Sequence, residues 1–200
     1  MSRFGDGPRG HVSVPEAIED QLRCIESLTA SDTLREGIKE TPQRVADAWH
    51  DFWGAGYRVD VDSLLKTFLD GADGVDEMIV VKNIPLYSHC EHHLAAIFGT
   101  ATVAYIPNGR IVGLSKINRV VDAFARRLQV QERLTAQIAE AIDRNLKPIG
   151  VGVQVRARHL CMESRGVCQQ GHSTITNALK GAIKTDAKAR AEFLAACNGG

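Results

Sequence analysis

The spacing of apolar residues along this chain changes from a helical period to a strand period near Glu77. Before that point Ser13-Val14-Pro15-Glu16 is a capping-box start with proline in the first turn, and Ile18, Leu22 and Ile25 follow at helical spacing. An amphipathic helix is predicted. Thr41-Pro42 opens another, with Val45, Trp49 and Phe52 on one stripe and Gly54 as its stop. Asp62 to Leu69 is expected to form one more short helix before the break at Asp70 to Gly74.

Beyond Glu77, Met78 to Val81 and Ile84 read as a buried strand. Phe98 to Ile106 is β-prone, and the turn chemistry of Pro107-Asn108-Gly109-Arg110 predicts a hairpin with Ile111-Val112. Ser115 is the expected cap of a helix carrying Ile117, Val121, Phe124 and Leu128 on its apolar side. A second helical run, Glu132 to Leu146, turns Leu134, Ile138, Ala141 and Ile142 inward and stops at Pro148. Val151, Val153, Val155 and Ala157 alternate with Gln154, Arg156 and Arg158, the pattern of a half-buried strand that delivers His159 and Cys161. Ser173 to Leu179 reads as a strand and Asp186 to Ala196 as a closing helix. Helices, strands, a helix pair and more strands predict an α+β fold with antiparallel pairing and helices on one face, not a doubly wound sheet.

With 200 residues the chain suits one domain with an appended helical segment. The expected organisation is a flexible terminus at residues 1–12, a helical arm at 13–74 and a catalytic domain at 75–200. Lys+Arg 24 against Asp+Glu 24 leaves no net charge, which offers no footprint for nucleic acid or an anionic membrane. No apolar run approaches the roughly 20 residues of a membrane-spanning helix. Met1 to Gly10 lacks the apolar core of a secretory signal, and five cysteines without a regular framework suit a reducing compartment, so a cytoplasmic protein is expected.

Chemistry concentrates in Tyr87-Ser88-His89-Cys90-Glu91-His92-His93-Leu94 and in His159-Leu160-Cys161. Cys90 and His93 stand one helical turn apart, so a thiolate and an imidazole can point at one ion. Placed on a strand, His159 and Cys161 share a face, and Cys161 then supplies a third ligand with His159 close by. Two thiolates and one imidazole suit Zn2+ rather than magnesium or calcium. Three protein ligands leave a position for water, the catalytic arrangement. A closed structural site is the alternative, with Cys24, Cys168 or Cys197 as a fourth ligand.

Five motifs then converge on one family. Cys90-Glu91-His92-His93-Leu94, Val103-Ala104-Tyr105-Ile106-Pro107, Gly113-Leu114-Ser115-Lys116-Ile117-Asn118-Arg119, Gln129-Val130-Gln131-Glu132-Arg133-Leu134 and Arg165-Gly166-Val167 together resemble GTP cyclohydrolase type I. Arg35-Glu36-Gly37 and Thr41 to Ala46 are similar to that family's helical preface, and the resemblance runs from about Val14 to Leu194. It implies a T-fold, an antiparallel sheet with a helix pair on one side, and a toroidal homodecamer with active sites between subunits. The implied reaction is hydrolysis of GTP to 7,8-dihydroneopterin triphosphate and formate.

Adding hydroxide to C8 of guanine calls for an activated water, which zinc on Cys90, His93 and Cys161 would provide. By similarity His92 and His159 move the protons. Glu132 is the natural guanine reader, because a carboxylate accepts from both N1–H and the exocyclic amine, and Gln131 is expected to complete that edge. With no phosphate-binding glycine loop of the G-x-x-x-x-G-K-[ST] type, side chains must hold the triphosphate. Ser115 and Lys116 sit at a predicted helix start, where free N–H groups favour anions, and Arg119 lies one turn on. Arg165 and Arg44 are the family's remaining phosphate positions, Arg44 by implication from a neighbouring subunit. Two other readings compete: the T-fold nitrile reductase of the queuosine pathway, and a silent zinc-containing T-fold module.

Overall fold

The structure, a computed structural model, describes residues 12–29, 31–69 and 71–198. The chain divides into two compact units, Met1–Ala55 and Gly56–Gly200. Most of the expected flexible terminus lies outside the described residues.

In the first unit, helix α1 (Val14–Ile25) begins with the predicted capping box: the Glu16 N–H donates to Ser13 Oγ at 3.4 Å and the Ser13 N–H to Glu16 Oε2 at 2.6 Å. Helix α2 (Thr41–Ala48) packs on α1 and continues into a π-helical turn at Trp49–Trp53, with Gly54 as its cap. Trp49 and Trp53 meet edge to face at 5.4 Å, so the tryptophans serve packing.

The second unit holds the sheets. Where one helix was expected over Asp62 to Leu69, there is a single turn, α3 (Val61–Leu64), followed by a short strand, β1 (Thr67–Phe68). Val61 and Leu65 enter the main core. The long strands β2 (Ile79–Cys90) and β3 (Ala96–Ile106) form an antiparallel hairpin. The predicted hairpin between β3 and β4 (Ile111–Val112) does not form, because β4 pairs with β1 in a separate two-stranded sheet. The backbone N–H of Val112 donates instead to the buried Tyr105 hydroxyl at 3.2 Å. Turn chemistry at Gly109, φ 66, reverses the chain without deciding which strand receives it.

Helix α4 (Leu114–Ala125) follows, capped by Gly113, so Ser115 is its second residue and not its cap. After β5 (Leu128–Gln129) comes α5 (Gln131–Leu146), ended by a left-handed Lys147 ahead of Pro148. Strand β6 (Gly150–His159) leads into a one-turn helix, α6 (Leu160–Glu163), and strand β7 (Thr174–Lys180) into α7 (Gly181–Thr185) and α8 (Ala187–Asn198). The main sheet has the order β5-β2-β3-β6-β7, antiparallel except for the β5–β2 pair.

The α+β architecture is as expected, with one correction on the helices. Ala101, Val103 and Tyr105 of β3 and Val151, Val153 and Val155 of β6 pack in one core with α4 and α5. The intervening positions face the other way, where Ala104 joins Ile183 and Phe193 of α7 and α8. Gly152 makes room there, since a Cβ on it would lie 2.8 Å from the Phe193 ring. Helices therefore cover both faces of the sheet.

Candidate metal centre and active site

The strand registers bring the chemical residues to one end of the sheet. His89 of β2 pairs with Ala96 of β3, and Ile97 pairs with His159 of β6, so the β2–β3 turn and the end of β6 lie across a single strand. On the outer side Cys90 pairs with Gln129 of β5, which leads straight into α5.

Cys90 is the last residue of β2 and is buried, 5% exposed. Residues 91 to 93 form a tight turn, closed by the N–H of Leu94 donating to Cys90 O at 2.8 Å and the N–H of Cys90 to Ala95 O at 2.8 Å. The three-residue spacing of Cys90 and His93 thus works through a hairpin turn, not a helix. Cys90 Sγ lies 3.5 Å from His93 Nδ1 and 4.0 Å from His92 Nδ1. Tetrahedral zinc with a sulfur at about 2.3 Å and a nitrogen at about 2.0 Å sets those two ligands roughly 3.5 Å apart, so the Cys90–His93 spacing fits. Donor atoms of Cys90, His92 and His93 all fall within 4.8 Å of one another.

Cys161 arrives from the other side, on α6 and not on the strand, so period-two alternation is not what aims it. Burial above all, then the neighbouring Cys90 thiol, push its pKa up, and the positive charge of Arg165 pulls against them. Two thiols forced together in this way are a soft donor pair that a divalent ion relieves by deprotonating both. Cys24 belongs to the first unit, Cys168 is exposed on the loop after α6, and Cys197 lies on α8.

His159 Nε2 sits 2.7 Å from Gln131 Oε1. The Gln131 amide nitrogen faces Val155 O, Thr174 O and Thr176 Oγ1 at 3.0 to 3.1 Å, which orients the amide and makes its oxygen the acceptor from His159 Nε2–H. The His159 Nδ1 is then the ring's other, basic nitrogen. Gln131, expected on the guanine edge, is instead buried and fully engaged by protein partners. Burial lowers the pKa of His159, opposed by the charge of Glu132 and reinforced by that of His172. Glu132 itself is exposed beside this histidine.

Arg133 was not singled out by sequence pattern. Its guanidinium forks onto the Glu91 carboxylate and also donates to Leu128 O at 3.1 Å and Gln129 Oε1 at 3.0 Å. The Glu91 N–H donates to Gln129 O at 3.1 Å, so the turn bearing His92 and His93 is tied to β5 and α5 by backbone and side chain alike. Only the fold brings these two charges together.

Ser115, Lys116 and Arg119 are not at this end. β3 runs about 33 Å from Ala96 to Ile106, β4 follows the turn, and α4 starts there and runs back toward β5. The N-terminus of α4 is therefore remote from Cys90 within one chain.

Residues 16–198 match the family model described as GTP cyclohydrolase I. The chain belongs to the GTP cyclohydrolase I family. A protein named GTP cyclohydrolase 1 from Nitrosospira multiformis is 54% identical over 178 residues, covering 89% of this chain and 92% of the relative. One of the same name from Janthinobacterium sp. is 57% identical over 176 residues, 88% of each chain. A third, from Sinorhizobium fredii, is 44% identical over 194 residues, 97% of this chain and 94% of the relative. The resemblance drawn from the five motifs is borne out, and with it the T-fold and the hydrolase class. No helix among the described residues is long and apolar enough to cross a membrane.

Proposed function

We propose that hydrolysis of GTP to 7,8-dihydroneopterin triphosphate and formate runs in this cytoplasmic protein at a zinc site formed by Cys90, His93 and Cys161. The observation that supports it is the Cys90 thiol with an imidazole nitrogen 3.5 Å away, and the Cys161 thiol, from a separate element, within reach of its charge. Zinc bound there would lower the pKa of a coordinated water to about 7 and make it a nucleophile near neutral pH.

The chain's own groups handle the base and the protons. The exposed carboxylate of Glu132 accepts from guanine N1–H and the exocyclic amine, a donor pair that adenine lacks. His159, held by Gln131 at Nε2, keeps Nδ1 ready to take a proton and pass it to a ring nitrogen of the substrate. His92 is exposed, with Nε2 3.8 Å from Glu91 Oε1, a position from which it can protonate N7.

Arg165, whose charge reaches Cys161, serves the triphosphate in this reading. Ser115, Lys116, Arg119 and Arg44 serve the triphosphate of a neighbouring subunit in a homodecamer. The remote start of α4 supports that division, since one chain cannot present both ends to one GTP.

A second ligand set, Cys90, His92 and His93, is favoured by their common 4.8 Å spacing. It differs from the first in sulfur count. The proposed activity is tested by formate release and pterin fluorescence from purified protein and GTP, with and without chelator. Chelator-sensitive release of both supports it; NADPH-dependent nitrile reduction, or no turnover from zinc-loaded protein, overturns it.

A further inference from the structure

The second face of the sheet carries a row of side chains that the GTP chemistry does not use. Ala104 pairs with Gly152, Thr102 with Gln154 and Thr100 with Arg156, all on the face turned away from α4 and α5. The row changes character along its length. Ala104 and Gly152 lie against Phe193, whereas the next two pairs line an open cavity of about 180 Å³, bordered by Cys197 and Asn198 at the end of α8. Asn83 closes the β2 side, in left-handed backbone at φ 55, where the β2–β3 register shifts between Val81 and Ile84.

The lining is built of donors. Among the described residues it holds two hydroxyls, three side-chain amides and a guanidinium, and no carboxylate. Gln154 is itself buried and anchored by its amide nitrogen to Asn177 Oδ1 at 2.9 Å. Arg156 makes no hydrogen bond or ion pair among the described residues, and the Thr100 and Thr102 hydroxyls have no protein partner there either. Burial raises the Cys197 pKa, and the charges of Lys82 and Arg156 pull against it. A half-enclosed pocket with positive charge, donor groups and no acid selects an oxyanion.

Size narrows the class. The volume equals about six water molecules at roughly 30 Å³ each and falls below the roughly 300–1,000 Å³ of pockets that take drug-sized ligands. A tetrahedral oxyanion with some water fits; a nucleotide does not. We propose that this cavity binds inorganic phosphate, with the Arg156 guanidinium as the charged fork and Thr100, Thr102 and Asn83 as the surrounding donors.

Cys197 gives a local readout that phosphate bound at the GTP site would not move. The test is the alkylation rate of Cys197 in zinc-loaded protein, followed by mass spectrometry of its peptide against inorganic phosphate concentration. Phosphate is expected to slow the reaction saturably. In Arg156→Gln and in Thr102→Val the concentration needed should rise about tenfold or more, as loss of charge-assisted or well-placed donors implies. GTP turnover should be unchanged in Arg156→Gln, and protection should persist in Lys116→Ala. GMP, too large for the cavity, should give no protection. A Cys197 rate indifferent to phosphate, protection that survives in Arg156→Gln, or protection lost in Lys116→Ala would overturn the assignment, as would equal protection by GMP.

Discussion

Arg133 reaches across 42 residues of sequence to hold both oxygens of Glu91, the residue between Cys90 and His92. Both side chains are partly exposed, so the ion pair adds little to stability, about 0–1 kcal/mol for such pairs. Its consequence is geometric. With Leu128 O and Gln129 Oε1 taking two more of its donors, Arg133 fixes the turn from which His92 and His93 project.

Arg133→Ala should leave the fold intact and weaken zinc retention about 10- to 100-fold, the usual effect of losing a group that supports metal ligands. Competition with a chromogenic chelator measures this. Arg133→Lys should recover only part of the loss, because an ammonium cannot reproduce the planar fork. Zinc affinity unchanged in Arg133→Ala would show that the turn holds itself.

Gln131 is expected to act through His159 and not on guanine. Gln131→Glu replaces the acceptor oxygen with a charged one, which favours the imidazolium and should move the acid limb of the kcat profile to higher pH. Zinc content and KM for GTP should change far less than kcat. A variant with a raised KM and an unmoved pH profile would return Gln131 to the guanine edge.

Lys116→Ala should harm GTP far more than guanosine, by about tenfold or more for one charged phosphate contact. Mixed assemblies test the remote position of α4. Lys116→Ala subunits combined with Glu132→Gln subunits should recover activity where each alone has little, and no recovery would place both residues in the same chain's site.

Phe193 is fully buried against Gly152 on the second face of the sheet, about as far from the Cys90 end as β3 allows. Phe193→Ala should cost about 3–5 kcal/mol of stability, read from denaturant unfolding, while zinc stays bound in the folded fraction.

Much of this was legible in the residues, and the failures have physical causes. Alternation of Val151, Val153, Val155 and Ala157 marked β6 because one face packs on helices, and the capping box at Ser13 marked α1 because its partners are three residues apart. Local patterns carry local structure. The pairing of β4 with β1 was not legible, since Ile111-Val112 would suit either neighbour and the Tyr105 hydroxyl, a tertiary contact, takes the Val112 N–H. For the site, the residue types of Cys90, His93 and Cys161 pointed to a metal, while their supports were mistaken: a turn stands where a helix was expected and a one-turn helix where a strand was. Gln131 and Arg133 show the same limit. Their partners lie 28 and 42 residues away, and nothing in helix-surface spacing distinguishes a buried amide on His159 from one facing substrate.

X-ray absorption at the zinc edge of the loaded protein, with Cys161→Ala beside it, bears most directly on the metal site. Two sulfurs at about 2.3 Å with one nitrogen from histidine and a light atom are predicted, falling to one sulfur, or to no bound zinc, in the variant. A single sulfur in the unaltered protein, with a spectrum that Cys161→Ala leaves unchanged, would contradict the site.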